Sequence, residues 1–171
     1  ANIGFIIGED AIAVIDTGGS LKVGRELELA IKKISNLPIR YVINTHVHLD
    51  HIYGNAVFKK DGIDFIGHIE LPKAMLSRKE FYERTNLRYL KIPPEESILI
   101  APNILIKANE SKNFDLGNRI IKITGYPISH TNTDITVEDV KTKTLWAGDL
   151  LFIERLPSID GDIHGYIAVI D

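Results

Sequence analysis

The stretch Asn44-Thr45-His46-Val47-His48-Leu49-Asp50-His51 decides how this chain is read. Three of its six histidines and an aspartate fall within one hexapeptide. The apolar run Ile39-Arg40-Tyr41-Val42-Ile43 precedes it and reads as a buried strand. Alternate side chains of an extended segment share a face, so His46 and His48 point the same way and can grip one ion. Asp50 and His51 come as the chain begins to turn, where they can face a second ion. Imidazole nitrogen and carboxylate oxygen suit Zn²⁺, and also iron or manganese. The plain alternative is a polar loop with no ligand role. The crowding of histidines speaks against it.

Composition narrows the rest. The chain has 171 residues, enough for one domain with a sizeable core. Apolar residues make up 44% and charged residues 25%, which is ordinary for a globular chain. Lys plus Arg number 20 against 23 Asp plus Glu, so there is no basic excess to draw a nucleic acid. No apolar run approaches a membrane span. There are no cysteines, so any metal must be held by His, Asp or Glu. Nothing in the composition fixes an oligomeric state.

Along the chain, Ile3 to Ile7 and Ala11 to Ile15 read as strands. Asp16 closes the second and opens a turn, where an Asx-turn is the simplest role for it. Ser20 caps a helix that runs from Leu21 until Asn36 and Pro38 stop it. After the histidine stretch a short helix is expected over Ile52 to Phe58, with Gly54 allowing close backbone packing. Ile63 to Gly67 reads as a strand followed by His68. Pro72 suits the first turn of a helix whose apolar positions are Met75, Leu76, Phe81, Leu87 and Leu90. Strand is expected over Ile98 to Ile106, interrupted by Pro102. A β-meander follows through Ile120, Val137 and Trp146. No repeat or linker is visible, so residues 1–171 read as one domain of mixed α and β. Ala1 enters a strand almost at once and Asp171 falls inside an element. The sequence is therefore expected to be a piece of a longer chain.

The motif His46, His48, Asp50, His51 resembles the His-x-His-x-Asp-His signature of the metallo-β-lactamase fold superfamily. The resemblance implies an α+β fold, an αββα sandwich whose C-terminal part is missing here. It also implies distant partners. His130, in Ser129-His130-Thr131, matches the third histidine of the first metal. Asp149, in Gly148-Asp149, matches the carboxylate that bridges two metals. Asp16 matches an aspartate that supports the metal loop without binding metal. His68 ends a strand near the metal side, where it would either line the pocket or serve structure alone. The final histidine of the second site is expected beyond Asp171. His164, in a Gly-rich stretch that reads as a loop, is the only candidate within the chain.

A narrower likeness is to the quinoprotein relay system zinc metallohydrolases, a bacterial branch. It rests on residues 11–20, 44–55, 67–71, 130–134 and 145–160. That branch would imply a periplasmic protein; otherwise a cytoplasmic one is expected.

The chemistry implied is metal-assisted hydrolysis of a small ester, thioester or lactam. Two zinc ions would activate a bridging water to hydroxide, with Asp50 orienting it or passing a proton. Iron fits the same donors. Rival readings are a single-iron oxygenase acting on persulfides, a nuclease, a di-iron flavoprotein and a non-catalytic metal-binding domain. Net acidity disfavours the nuclease. His48 disfavours the flavoprotein branch, which tends to carry Glu there. Intact ligands disfavour the non-catalytic domain.

Overall fold

The computed structural model describes all 171 residues. Its first sheet holds five strands in sequence order: β1 Gly4–Ile7, β2 Ile12–Ile15, β3 Ile39–Ile43, β4 Asp64–His68 and β5 Ile104–Ile106. The β1–β2 pair is antiparallel, and β2 to β5 run parallel. The second sheet is an antiparallel meander of β6 Ser111–Asp115, β7 Ile120–Gly125, β8 Ile135–Asp139 and β9 Thr144–Trp146.

The central strands are apolar on both faces because both faces are covered. Ala13, Ile15, Ile43, Ile66 and Ile106 meet Ile121, Ile123 and Val137 of the second sheet in one buried cluster. The alternate positions Ile12, Val14, Val42 and Phe65 face Leu27 and Ile31 of helix α1, Leu21–Ile34. Each such isoleucine, removed from water, contributes roughly 1.5–3 kcal/mol. Ser20 caps α1, its Oγ accepting from the Val23 amide. Helix α3, Leu71–Thr85, lies over the histidine-bearing loop. Its Leu71, Ala74, Met75 and Tyr82 pack on Val47, Ile52 and Tyr53. Helix α4, Ile163–Ile170, sits against Ile128 in the loop after β7. The result is the αββα sandwich that the signature implied. No helix is long and apolar enough to cross a membrane.

Four local expectations change. The helix expected over 52–58 starts earlier, as α2 Leu49–Ile52, and resumes as a 3₁₀ turn, Asn55–Phe58. The break lies at Tyr53-Gly54, where the chain crosses Thr17 so closely that a Cβ on Gly54 would stand 2.0 Å from the Thr17 carbonyl oxygen. Strand 98–106 shrinks to Ile104–Ile106, since Pro102 has no amide to pair. Leu76, Phe81, Leu87 and Leu90 are exposed, because the buried stripe of α3 runs through Leu71, Ala74, Met75 and Tyr82 and α3 ends at Thr85. The segment around His164 is helix rather than loop, with Asp162 Oδ2 accepting from the Gly165 amide to cap α4.

Candidate metal centre

Parallel strands place their carboxyl ends at one edge, the usual position for a site in such a sheet. Asp16 ends β2 there, and the histidine loop leaves β3 beside it. The second sheet adds the loop after β7, with His130, and the turn after β9, with Asp149. Ile135 N donates to the Thr45 carbonyl at 2.9 Å and ties the two sheets together at this point.

His46, His48, His130 and Asp149 converge, with ligand-type atoms all within 4.8 Å of one another. His46 Nε2 and His130 Nε2 stand 3.1 and 3.0 Å from His48 Nδ1. The outward nitrogens show which of them carry hydrogen. His130 Nδ1 meets the Ser158 carbonyl at 2.6 Å, and a carbonyl only accepts. His48 Nε2 meets the Asp160 carboxylate at 3.3 Å. Thr45 Oγ1 donates its hydrogen to Asp16, so the contact with His46 Nδ1 at 3.1 Å needs a hydrogen from His46. All three neutral rings therefore turn lone pairs inward. Three acceptors that close repel one another unless a cation sits among them. The donor set fits a metal ion on this ground.

His51 lies on the other side of Asp149. Asp16 Oδ2 accepts its Nδ1–H at 2.7 Å, which leaves Nε2 as an acceptor. That Nε2 is buried and has no hydrogen-bond partner. It faces Asp50 Oδ2 and Asp149 Oδ1, each at 3.5 Å. Asp149 Oδ2 instead faces His46 and His130, at 3.9 and 3.6 Å. One carboxylate thus presents an oxygen to each cluster, and His51, Asp50 and Asp149 fit a second ion. Gly148 precedes Asp149 at φ +55°, and a Cβ there would stand 2.9 Å from the Thr45 side chain.

Electrostatics divides the histidines. Burial, then the neighbouring imidazoles His51, His48 and His130, holds His46 well below the usual imidazole range. Burial and His130 lower His48 as well. Burial also works against protonation of His51, but Asp16, Asp50 and Asp149 outweigh it and the group is raised. For Asp50 burial pushes upward, and the adjacent His51 pulls the other way, so that its carboxyl is lowered.

Asp16 is not an Asx-turn. It sits buried at φ 53°, and its carboxylate reaches across to Thr45 N, Thr45 Oγ1 and His51. His68 is buried at the end of β4, its Nδ1 accepting from Glu70 N, and lines neither this centre nor the adjoining cavity. His164 is exposed on α4 and outside the cluster.

Further residues build the site from beneath. Thr17, Asn44 and Asn55 form a buried amide–hydroxyl network beneath the His51 turn. Asp134 accepts from Ser129 Oγ, Thr131 N and Thr131 Oγ1 and shapes the His130 loop, while burial pushes its carboxyl up. Asn44 stood inside the decisive stretch. For Asp134, its place three residues after Ser-His-Thr was the one available signal. A cavity of about 820 Å³ opens beside Asp50 and Asp149, walled by Trp146, Leu151, Phe152, Ile153 and Arg155.

Several known proteins are similar to this chain. A 49-residue stretch is 37% identical to the linear primary-alkylsulfatase of Pseudomonas sp. (strain ATCC 19151), spanning 29% of this chain and 9% of that enzyme. The stereoselective inverting sec-alkylsulfatase Pisa1 from Pseudomonas sp. superposes with a TM-score of 0.69 at 19% identity, over 88% of this chain and 28% of that one. The metallo-beta-lactamase from Hirschia baltica superposes at 0.71 with 17% identity, over 93% of this chain and 65% of that one. The chain thus spans only a small part of the alkylsulfatases and just under two thirds of the lactamase. At such identities the superpositions speak for the fold. The model of the metallo-beta-lactamase superfamily matches residues 1–169, and with it the chain belongs to that superfamily.

Proposed function

We propose that this domain is a metal-dependent hydrolase with two zinc ions, acting on a small ester-type substrate: a carboxylic ester, thioester, lactam or sulfate ester. The observation that carries the reading is the set of inward lone pairs on His46, His48 and His130, joined to the unpartnered His51 Nε2 through the two oxygens of Asp149. His46 Nε2, His48 Nδ1, His130 Nε2 and Asp149 Oδ2 would hold one ion. His51 Nε2, Asp50 and Asp149 Oδ1 would hold the other. Ions in these positions supply Lewis acidity and bring the pKa of water towards neutrality.

The chain's own groups do the rest. Asp50 is half-exposed beside the cavity, placed to take a proton from water and return it to a leaving group. Asp16 holds His51 in one tautomer. Trp146, Phe152 and Ile153 offer an apolar wall that excludes water from a bound substrate, and Arg155 offers a cation at the cavity. Sulfate esters join the substrate set because two of the similar proteins are alkylsulfatases by name.

The test is metal content per chain, followed by a hydrolysis screen before and after chelation. About two zinc ions, with activity lost on chelation and restored by zinc, is the expected result. One iron per chain without hydrolysis would favour the oxygenase. A metal-free protein that takes up neither would end both readings.

A further inference from the structure

His48 differs from the other two histidines of its cluster. It turns Nδ1 inward where they turn Nε2. Its side chain is 22% exposed, against 1% for His46 and His130. Packing therefore holds it least, and its ring orientation depends most on what Nε2 meets. What it meets is Asp160 Oδ2, at 3.3 Å across a sequence separation of 112.

Asp160 is itself fixed twice. Its loop is sewn to the His130 loop by three bonds: Asp160 N to His130 O at 2.9 Å, Asp162 N to Ser129 O at 2.9 Å, and His130 Nδ1 to Ser158 O at 2.6 Å. Gly161 lies so close that a Cβ would stand 2.3 Å from the Ser129 carbonyl oxygen. The Asp160 carboxylate also accepts from Arg78 Nη2 at 2.9 Å, on the same oxygen that faces His48. Arg78 belongs to α3, whose buried face packs on Val47 beside that histidine.

We infer that Asp160, held in place by Arg78, is a positioning residue that keeps His48 in the Nε2–H tautomer with Nδ1 turned to the metal. Helix α3 thereby belongs to the metal centre, although none of its side chains reaches the ion. The carboxylate accepts the ring hydrogen, and the guanidinium keeps that carboxylate from swinging into solvent. Partners of this kind change metal affinity by about 10–100-fold. The inference rests on the metal-centre reading above.

The test compares wild type with Asp160→Ala, Asp160→Asn and Arg78→Met. It measures zinc affinity by chelator competition, the visible spectrum of the cobalt-loaded protein, and Tm of the metal-free protein. Asp160→Ala is expected to weaken one zinc by about 10–100-fold and to change the cobalt spectrum. Asp160→Asn, which keeps an acceptor oxygen, is expected to recover most of the affinity, and Arg78→Met to fall between. Metal-free Tm should drop by no more than about 4 °C, as loss of one surface ion pair allows. Affinity within about twofold of wild type in Asp160→Ala overturns the inference. So does a loss of affinity matched by a larger fall in metal-free Tm, which would make the role structural. A wild type that binds no metal overturns the metal-centre reading itself, an outcome distinct from a loaded wild type with an unaffected variant.

Discussion

Asp16 and His51 are joined by a 2.7 Å hydrogen bond, between Oδ2 and Nδ1, with both side chains only 1% exposed. The same carboxylate accepts from Thr45 through its hydroxyl and its amide, so one residue at the end of β2 sets the exit of β3. Removing it frees His51 to rotate or change tautomer. Asp16→Ala is expected to lower affinity at the His51 side by about 10–100-fold while the three-histidine side keeps its ion. Metal counted per chain after dialysis checks this. Equal loss from both positions would contradict it.

Asp50 faces His51 Nε2 at 3.5 Å and borders the cavity. Asp50→Asn keeps an oxygen but cannot carry a proton at neutral pH. Turnover on the best substrate is expected to fall by about 10²–10⁴-fold, with at least one metal retained. Wild-type turnover in the loaded variant would exclude Asp50 from proton transfer.

Acidification should empty the two sides in order. His46 and His48 are lowered, so protons compete poorly for them near neutrality. His51 is raised, because three carboxylates outweigh the effect of its burial, and protons compete for it at higher pH. The ion beside His51 is expected to leave first as pH falls. Metal content across a descending pH series reads the order, and early loss from the three-histidine cluster would reverse it.

Away from the centre, Arg119 bonds Asp139 at 2.6 Å, and with Thr142 and the Lys141 amide it overcomes the upward pull of burial. The carboxyl is held down at about 2. A group depressed on folding stabilises above its unfolded pKa and loses that contribution as pH falls through the folded one. Asp139→Asn is expected to cost about 2 kcal/mol near neutral pH. The gap from wild type should shrink as pH falls from about 4 towards about 2. Denaturant titrations at several pH values measure it, and a pH-independent gap would assign the effect to packing.

Much of the centre was legible in order along the chain. His46, His48, Asp50 and His51 announce themselves because donors crowd into one hexapeptide behind an apolar strand, and alternation along a strand is a local property. Runs of apolar and β-branched residues likewise placed β2, β3 and the meander strands β7 to β9, and Ser20 marked the start of α1. His130 and Asp149 could be named only by resemblance, since a lone histidine or a Gly-Asp pair carries little information by itself.

The sequence by itself determined the donors crowded into residues 46–51, the absence of thiolate ligands and the mixed α and β order of elements. Tertiary structure decided which ring nitrogen of His51, His130 and His48 faces inward, because the partner that takes the other hydrogen lies far along the chain: Asp16 for His51, Ser158 for His130, Asp160 for His48. It also decided that Asp149 offers one oxygen to each cluster, and that His68 is buried away from the cavity. These outcomes depend on two sheets meeting face to face, and no local pattern encodes the distance between residues that only packing brings together.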